Sequence, residues 1–397
     1  MNAIKDKIKS LSKQYAAEIT QIRRHLHQNP ELSFEEYNTS AYISEYLTSL
    51  QVNHQNGIAN TGIVAIIEGK NPHKKTIALR ADMDALPIQE TNKVEYCSKN
   101  DGIMHACGHD VHSASLMGAA KILSQLSEHF EGTIKLIFQP GEERIPGGAS
   151  MMIKEGVLDN PKVEAIFGQH VMPFIDAGKV GFRKGIYMAS ADEIYVTVTG
   201  KGGHAAMPHQ NIDPVLISAH LIVALQQIVS RNANPSMPTV LSFGKVMANG
   251  ATNVIPNEVK IEGTFRTFDE TWRDEAHKKM KLLAKSLVEG MGGTINFNIM
   301  RGYPVLVNDE GLTQDAIVHA EEYLGKDNVL PLDIWTAAED FAYYGHETKG
   351  CFYRLGVRNV AKGITSPVHT PTFDIDESAL EVGMGLLAFL AIKELQK

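Results

Sequence analysis

The stretch GTIKLIFQPGEE at residues 132–143 decides the fold. Its β-branched and apolar run is continuous enough to be buried on both faces, as in a parallel sheet covered by helices, and it ends in Pro-Gly and two adjacent glutamates. Runs of the same texture stand at 62–68, 76–81 and 163–168, and an amphipathic stretch at 111–130 reads as a helix between them. Strands alternating with helices give an α/β class. In open α/β sheets the loops beyond the carboxyl ends of the strands converge on one crevice, so the placement of the acidic pair is as informative as its chemistry.

From about Ser190 the texture changes. Residues 194–199 alternate strictly, a glycine-rich turn follows, and 213–231 forms an apolar-striped helix opened by Asp-Pro. Strands at 239–246 and 258–267, a helix at 269–289 and a strand at 294–300 complete a β-α-β-β-α-β order, the split pattern of an antiparallel sheet with helices on one face. Beyond Pro304 the helix-strand alternation resumes, with helices near 311–324 and 377–395. The expectation is a discontinuous first domain at 1–187 and 301–397 and an inserted α+β domain of ferredoxin-like order at 188–300.

Composition narrows the function classes. At 397 residues the chain exceeds what one hydrophobic core usually serves. Hydrophobic residues make up 43% and charged residues 21%, the profile of a soluble globular chain and not of a coiled coil, a collagen or a disordered tract. Thirty-eight basic against 46 acidic residues leave a formal net charge of −8 with no long basic block, a poor match for nucleic acid. Cys97, Cys107 and Cys351 are too few for a disulfide scaffold and point to a reducing compartment, the cytoplasm. Of these, Cys97 and Cys351 read as small buried hydrophobes. The N-terminus lacks the apolar core of a signal peptide, while Ile4, Ile8, Leu11 and Tyr15 fall at helical spacing. With no run of about 18 apolar residues, no membrane-spanning segment is expected.

Four polar clusters follow predicted strands or occupy loops of the first domain. Asp82 and Asp84 are two apart in an extended segment, so both carboxylates can face one site. In His105-Ala106-Cys107-Gly108-His109-Asp110-Val111-His112, Cys107 and His109 can offer a thiolate and an imidazole together, a mixture suited to zinc and related metals. The third cluster is Gln139 to Glu143, and the fourth, Gly168-Gln169-His170, follows the strand expected at 163–168. Taken singly, His170 reads as a structural histidine and Glu142-Glu143 as a solvated face; four clusters at the ends of one sheet favour shared chemistry.

These residues carry a resemblance. LRADMDALP at 79–87, HACGHDVH at 105–112, QPGEE at 139–143, GQHVMP at 168–173, GKGGHAAMPH at 200–209, NVIP at 253–256, AEDFAYY at 338–344 and HTPTFD at 369–374 resemble, in order, the M20 metallopeptidase superfamily. More narrowly they are similar to its amidohydrolase branch of hippurate hydrolases, N-acyl-amino-acid deacetylases and auxin-conjugate hydrolases. The resemblance implies a zinc-exopeptidase-like catalytic domain and an inserted lid and dimerisation domain that closes by hinges near 187–191 and 300–304. It further implies two divalent metal ions, zinc or manganese with cobalt or nickel as alternatives, held by Cys107, His109, Glu143, His170 and His369. The branch carries Cys where other members use a carboxylate and Asp82 where others have a ligating His, and this chain follows the branch at both places.

By the same resemblance Asp84 orients a ligand, Glu142 is the general base, and His204 stabilises the oxyanion from its own subunit or a partner's. Asn253 and Arg266 contact the substrate, with Arg266 a fork for an α-carboxylate, and Glu339 and Asp340 line the wall of the site. His204 reads equally as a surface-loop histidine, and Arg266 as a plain strand charge. The implied reaction is hydrolysis of an N-acyl (acetyl, benzoyl or similar) amino acid by a homo-oligomer, a dimer or tetramer built through the lid. A dipeptidase or carboxypeptidase would share every catalytic residue, and a metal-binding protein without catalysis would not need Glu142. A Gly-x-Ser-x-Gly elbow, a dinucleotide fingerprint, a phosphate loop and His-Glu-x-x-His are all absent.

Overall fold

The computed structural model describes residues 2–397. The chain forms two compact units. The first runs to Tyr187 and resumes over Val307–Asp333 and Asp340–Lys397; the second is Met188–Leu306 with Ile334–Glu339. The second unit therefore differs from the expected 188–300 in extending to 306 and in gaining a later return segment. Hydrogen bonds explain both additions: Ala191 N–H donates to Tyr303 O at 2.9 Å, Val305 N–H to Glu270 Oε1 at 2.8 Å, and Ala189 N–H to the carbonyls of Trp335 and Ala337 at 3.1 Å.

The first unit is built on an eight-stranded sheet in the order Asn53–Ile58, Gly62–Glu68, Thr133–Gln139, Thr76–Asp82, Ala165–Asp176, Lys349–Arg358, Val180–Phe182, Val329–Pro331. Thr133–Gln139, Thr76–Asp82, Ala165–Asp176 and Lys349–Arg358 run parallel to one another, and Asn53–Ile58 and Gly62–Glu68 add an antiparallel edge. Thr76–Asp82 and Thr133–Gln139 are buried at every residue, as their unbroken apolar runs require. Alternate residues of Lys349–Arg358 serve opposite faces. Cys351, Tyr353 and Leu355 join the core that contains Leu386, Phe389 and Leu390 of helix Ala379–Leu395, whereas Phe352 packs on Phe341, 5.0 Å between rings, beside helix Ala342–Glu347.

On the larger face helices Asn2–Gln28, His109–Gln125 and Ala379–Leu395 pack together. The approach is close because the crossing point carries glycine: a Cβ on Gly118 would stand 2.8 Å from Met384 Sδ. Cys351 is fully buried as expected, but Cys97 is only half-buried, because it sits in a loop where its thiol donates to Asn92 O at 3.4 Å.

The second unit is a four-stranded antiparallel sheet, ordered Thr239–Met247, Glu258–Thr267, Asp192–Thr199, Thr294–Arg301. Ile194, Val196 and Val198 point from the central strand into a core shared with Ile217, Leu221, Leu225, Met280 and Ala284 of the two helices. Asp213 caps helix Pro214–Gln227 through the N–H groups of Val215 and Leu216, and Asp269 caps helix Glu270–Gly290 through Trp272 N–H. The span Pro214–Asn232 is long and apolar enough by composition to cross a membrane, which the sequence reading had not anticipated. Its inward face is nevertheless committed to the core through Ile217, Leu221, Leu225 and Ile228.

Buried Asp192 organises the start of this unit. It accepts from Arg273 Nη2 at 2.5 Å, Arg273 Nε at 2.9 Å, His277 Nε2 at 2.7 Å and Gly302 N–H at 3.2 Å. Burial opposes its charge, yet His277 and Arg273 lower the carboxyl from 3.8 to about 2. A depressed carboxylate contributes its stabilisation fully above its unfolded pKa, so this contribution should be complete above about pH 4 and fade as pH falls through about 2. Asp192→Asn should cost about 3–5 kcal/mol by stranding the buried Arg273, and should flatten the acid limb of stability between those pH values. Denaturant melts of both proteins from pH 2 to 7 check this; an unchanged acid limb would refute it.

Candidate metal centre

The strand Thr76–Asp82 delivers two aspartates with different tasks. Asp82 is buried and accepts from Arg80 Nη1 at 2.7 Å and His112 Nδ1 at 2.5 Å. Burial would push its carboxyl up, but Arg80, His109 and His112 together hold it well below the usual range. Asp84 accepts from Ser33 Oγ at 2.6 Å, Glu143 N–H at 2.9 Å and His109 Nδ1 at 3.1 Å. The last bond fixes the ring of His109, whose Nε2 is buried without a hydrogen-bond partner among the described residues.

Helix His109–Gln125 starts immediately after Gly108, whose φ of +84° is left-handed and whose Cβ would stand 2.6 Å from Val171 Cγ2. With glycine there, the turn brings Cys107 and His109 to one point. Cys107 Sγ lies 3.4 Å from His170 Nε2 and 3.3 Å from His369 Nε2. His369 Nε2 in turn lies 3.3 Å from Glu143 Oε1, an oxygen also 4.0 Å from His109 Nε2. Donor atoms of Cys107, His109 and His170 fall within 4.8 Å of one another, and so do those of Cys107, Glu143 and His369. The thiol is common to both sets. Glu142, also buried, forms a further set with His109 and Glu143.

His170 is not beyond its strand, as the sequence reading had it, but inside it. Ala165–Asp176 continues because Lys349–Arg358 pairs with it past that point, with Arg354 opposite His170. His170 Nδ1 donates to Val171 O at 2.8 Å, leaving Nε2 toward Cys107. Burial first, then the charges of Arg354 and His112, hold His170 well below its ordinary pKa, so its lone pair is available. His112 is different: Nδ1 donates to Asp82, and Nε2 accepts from Val171 N–H at 2.9 Å, so both nitrogens are spent. The sequence reading assigned His112 no role; its position one helical turn after His109 was the signal that could have found it.

The electrostatics of the cluster favour a cation. Although burial opposes protonation, Asp82, Asp84 and Glu143 raise His109 to about 10, while burial with Glu143 and Glu142 pushes the Cys107 thiol well up. A proton and a divalent metal compete for such a site, and metal binding would convert the thiol to thiolate. His109 Nε2 and Glu143 Oε1, buried without a hydrogen bond among the described residues, and the sulfur, nitrogen and oxygen donors fit a transition metal.

Asp340 lies beneath this cluster, where it accepts from Arg80 Nη2 at 2.7 Å, Gln139 Nε2 at 2.7 Å and Ala149 N–H at 3.0 Å. Its charge is thus matched by Arg80 and its role is to tie strand ends together. Glu339 is buried and belongs to the second unit. In that unit His204 is exposed on a two-residue ribbon, Gly203–His204, paired with Val254–Ile255. Ala205 N–H donates to Asn253 O at 3.0 Å, so the structure brings His204 and Asn253 together. Arg266 stands apart on the sheet, half-buried, with Nε donating to Thr264 Oγ1 at 3.1 Å.

Comparison with known proteins identifies a family. The model of peptidase family M20/M25/M40 matches residues 78–393. An N-acyl-L-amino acid amidohydrolase of Geobacillus stearothermophilus is 44% identical over 77% of this chain and 82% of its own length. Thermostable carboxypeptidase 2 of Saccharolobus solfataricus is 38% identical over 98% of both chains. Among solved structures, a dinuclear metal-binding peptidase of the M20 family from Bacillus subtilis superposes with a TM-score of 0.82 at 35% identity, covering 97% of this chain and 99% of that one.

The hydrogen bond from His109 to Asp84 yields a direct expectation. Asp84→Asn keeps the shape but loses the carboxylate, and metal affinity should fall about 10–100-fold. Chelator competition on the folded variant measures it; unchanged affinity would remove Asp84 from this role.

Proposed function

We propose that this chain, which belongs to the peptidase family M20/M25/M40, hydrolyses the amide bond of N-acyl amino acids to a carboxylic acid and a free amino acid. The protein is a metal-dependent amidohydrolase; the class of substrate is what this reading adds. The observation that carries it is the pair of donor sets meeting at Cys107 with Glu142 directly beside Glu143. A second acid adjacent to a ligand is superfluous for holding metal and necessary for moving a proton.

In this reading Cys107, His109 and His170 would hold one divalent ion, and Cys107, Glu143 and His369 the other, with zinc or manganese suited to both. When bound, the ions supply Lewis acidity that polarises the scissile carbonyl and acidifies water. Glu142 accepts the proton of the attacking water and returns it to the leaving nitrogen, so the carboxylate is regenerated at each turnover. Asp84 and Asp82 keep His109 and His112 in their tautomers. His204 donates to the developing oxyanion, Asn253 contacts the substrate, and Arg266 receives the α-carboxylate through its planar fork.

Two further parts of the proposal concern surroundings. On helix Pro214–Gln227, Val215, Leu216 and Val223 are 41%, 53% and 73% exposed. This outward apolar face supports assembly of a homo-dimer or tetramer through the inserted unit, with His204 acting in its own subunit or across the interface. Three cysteines with no disulfide between them favour the reducing cytoplasm.

The carboxypeptidase relative supports a second reading, cleavage of peptides at the same centre. Both are tested by assaying N-acetyl amino acids, hippurate and dipeptides with metal-loaded wild type and Glu142→Gln. The expected outcome is cleavage of the acyl amino acids by wild type and a loss of about 10²–10⁴-fold in the variant with two metals retained. Dipeptides as the better substrates would transfer the assignment to the second reading, and full activity in the variant would overturn the role of Glu142.

A further inference from the structure

Behind the metal centre lies a buried ionic cluster that the reaction above does not use. Arg23, on helix Asn2–Gln28, is fully buried. Its Nε donates to Asp110 Oδ2 at 2.7 Å and its Nη2 to Asp374 Oδ1 at 3.0 Å, while Nη1 stands 3.7 Å from Glu377 Oε1. Arg24 grips the same Glu377 with two bonds of 2.7 Å, and Tyr96 donates to Asp374 Oδ2 at 2.8 Å beneath both guanidinium groups, 4.9 and 4.8 Å from its ring. His27 adds a second link, donating from Nδ1 to Asp110 Oδ2 at 2.8 Å and from Nε2 to Glu90 Oε1 at 3.2 Å.

The partners of Arg23 are placed with respect to both donor sets. Asp110 directly follows His109, which belongs with Cys107 and His170; Asp374 lies on the loop of His369, which belongs with Cys107 and Glu143. The two histidines differ in how firmly they are held. His109 opens a buried helix and is bonded to Asp84. His369 has a left-handed φ of +61° and a side chain 52% exposed, a conformation that persists only where the surroundings impose it. Those surroundings are His369 N–H to Ala106 O at 2.8 Å, Thr91 N–H to Pro371 O at 2.9 Å, Asn92 Nδ2 to Phe373 O at 3.0 Å, and the Asp374 and Glu377 anchors on Arg23 and Arg24.

We propose that Arg23 is a positioning residue for the metal pair: its guanidinium spans Asp110 and Asp374 and so sets the separation of His109 and His369, one histidine from each set sharing Cys107. The inference rests on the two-metal reading above. A rigid planar fork can bridge two carboxylates at fixed spacing, whereas a lysine ammonium, a compact point charge, cannot hold both geometries at once. Loss of the bridge therefore falls on the less firmly held set, Cys107, Glu143 and His369.

The test is stepwise removal of zinc from zinc-loaded wild type, Arg23→Lys and Asp374→Asn by a chromophoric chelator, with KM, kcat and Tm recorded on each. In both variants the tighter step should stay within about threefold of wild type and the weaker step should loosen about 10–100-fold, with kcat recovering in excess zinc at unchanged KM. A lowered Tm with both zinc steps unchanged, or equal loosening of both without recovery in excess zinc, would overturn the positioning role. Should Arg23→Lys fail to fold, Asp374→Asn decides, because it keeps Arg23 bonded to Asp110 and strips the loop anchor of its charge. Wild type that holds fewer than two zinc ions would instead overturn the reading on which the inference rests.

Discussion

The structure of the first unit depends on one electrostatic constraint: Asp82, Asp84 and Glu142, all buried, converge with the partly buried Glu143. Carboxylates out of water are tolerated only when countercharge and hydrogen bonds surround them. Each nearby feature meets part of that demand. Arg80 neutralises Asp82 and Asp340 together, His112 bonds Asp82, and Asp84 gathers a hydroxyl, a backbone N–H and an imidazole N–H. Glu143 Oε1 and His109 Nε2 are left without a hydrogen-bond partner among the described residues, at a cluster of donors that could hold a metal ion.

The fold exists to make that convergence affordable. Parallel strands buried on both faces end together, so Asp82 and Gln139 sit side by side in register and the loops after them meet. Helices on either face exclude water from the ends, and a left-handed glycine between Cys107 and His109 lets a strand-end loop turn into a helix without separating the two donors. Arg23 extends the same logic outward, matching Asp110 and Asp374 behind the site while tying its first helix to its last loop.

Much of this was legible in the chain. The apolar run of 132–138, the Asp-Pro opening of the helix at Pro214 and the change of texture near Ser190 are local signals, and each corresponds to an element in place. What escaped was non-local. Lys349–Arg358, the strand that pairs with Ala165–Asp176, carries two arginines and two glycines that break its pattern, and it is a strand because its neighbour supplies a ladder and its charges find partners. His170 was placed beyond its strand for the same reason, since the extension of Ala165–Asp176 is dictated by that partner.

By itself the sequence determined the α/β class, because periodicity and turn chemistry are properties of short segments; the candidate donors came from the resemblance of its motifs to a family. Only the tertiary structure decided which donors share a point: that Cys107 meets both His170 and His369, that Asp84 serves His109 while His112 is spent on Asp82 and Val171, and that Asp340, matched by Arg80, lies within 4.8 Å of Glu142. The physical reason is that coordination, pKa and hydrogen-bond saturation depend on distances between residues far apart in the chain. His109 and His369 are 260 positions apart in sequence, yet the fold sets their Nε2 atoms 4.0 and 3.3 Å from the same Glu143 oxygen.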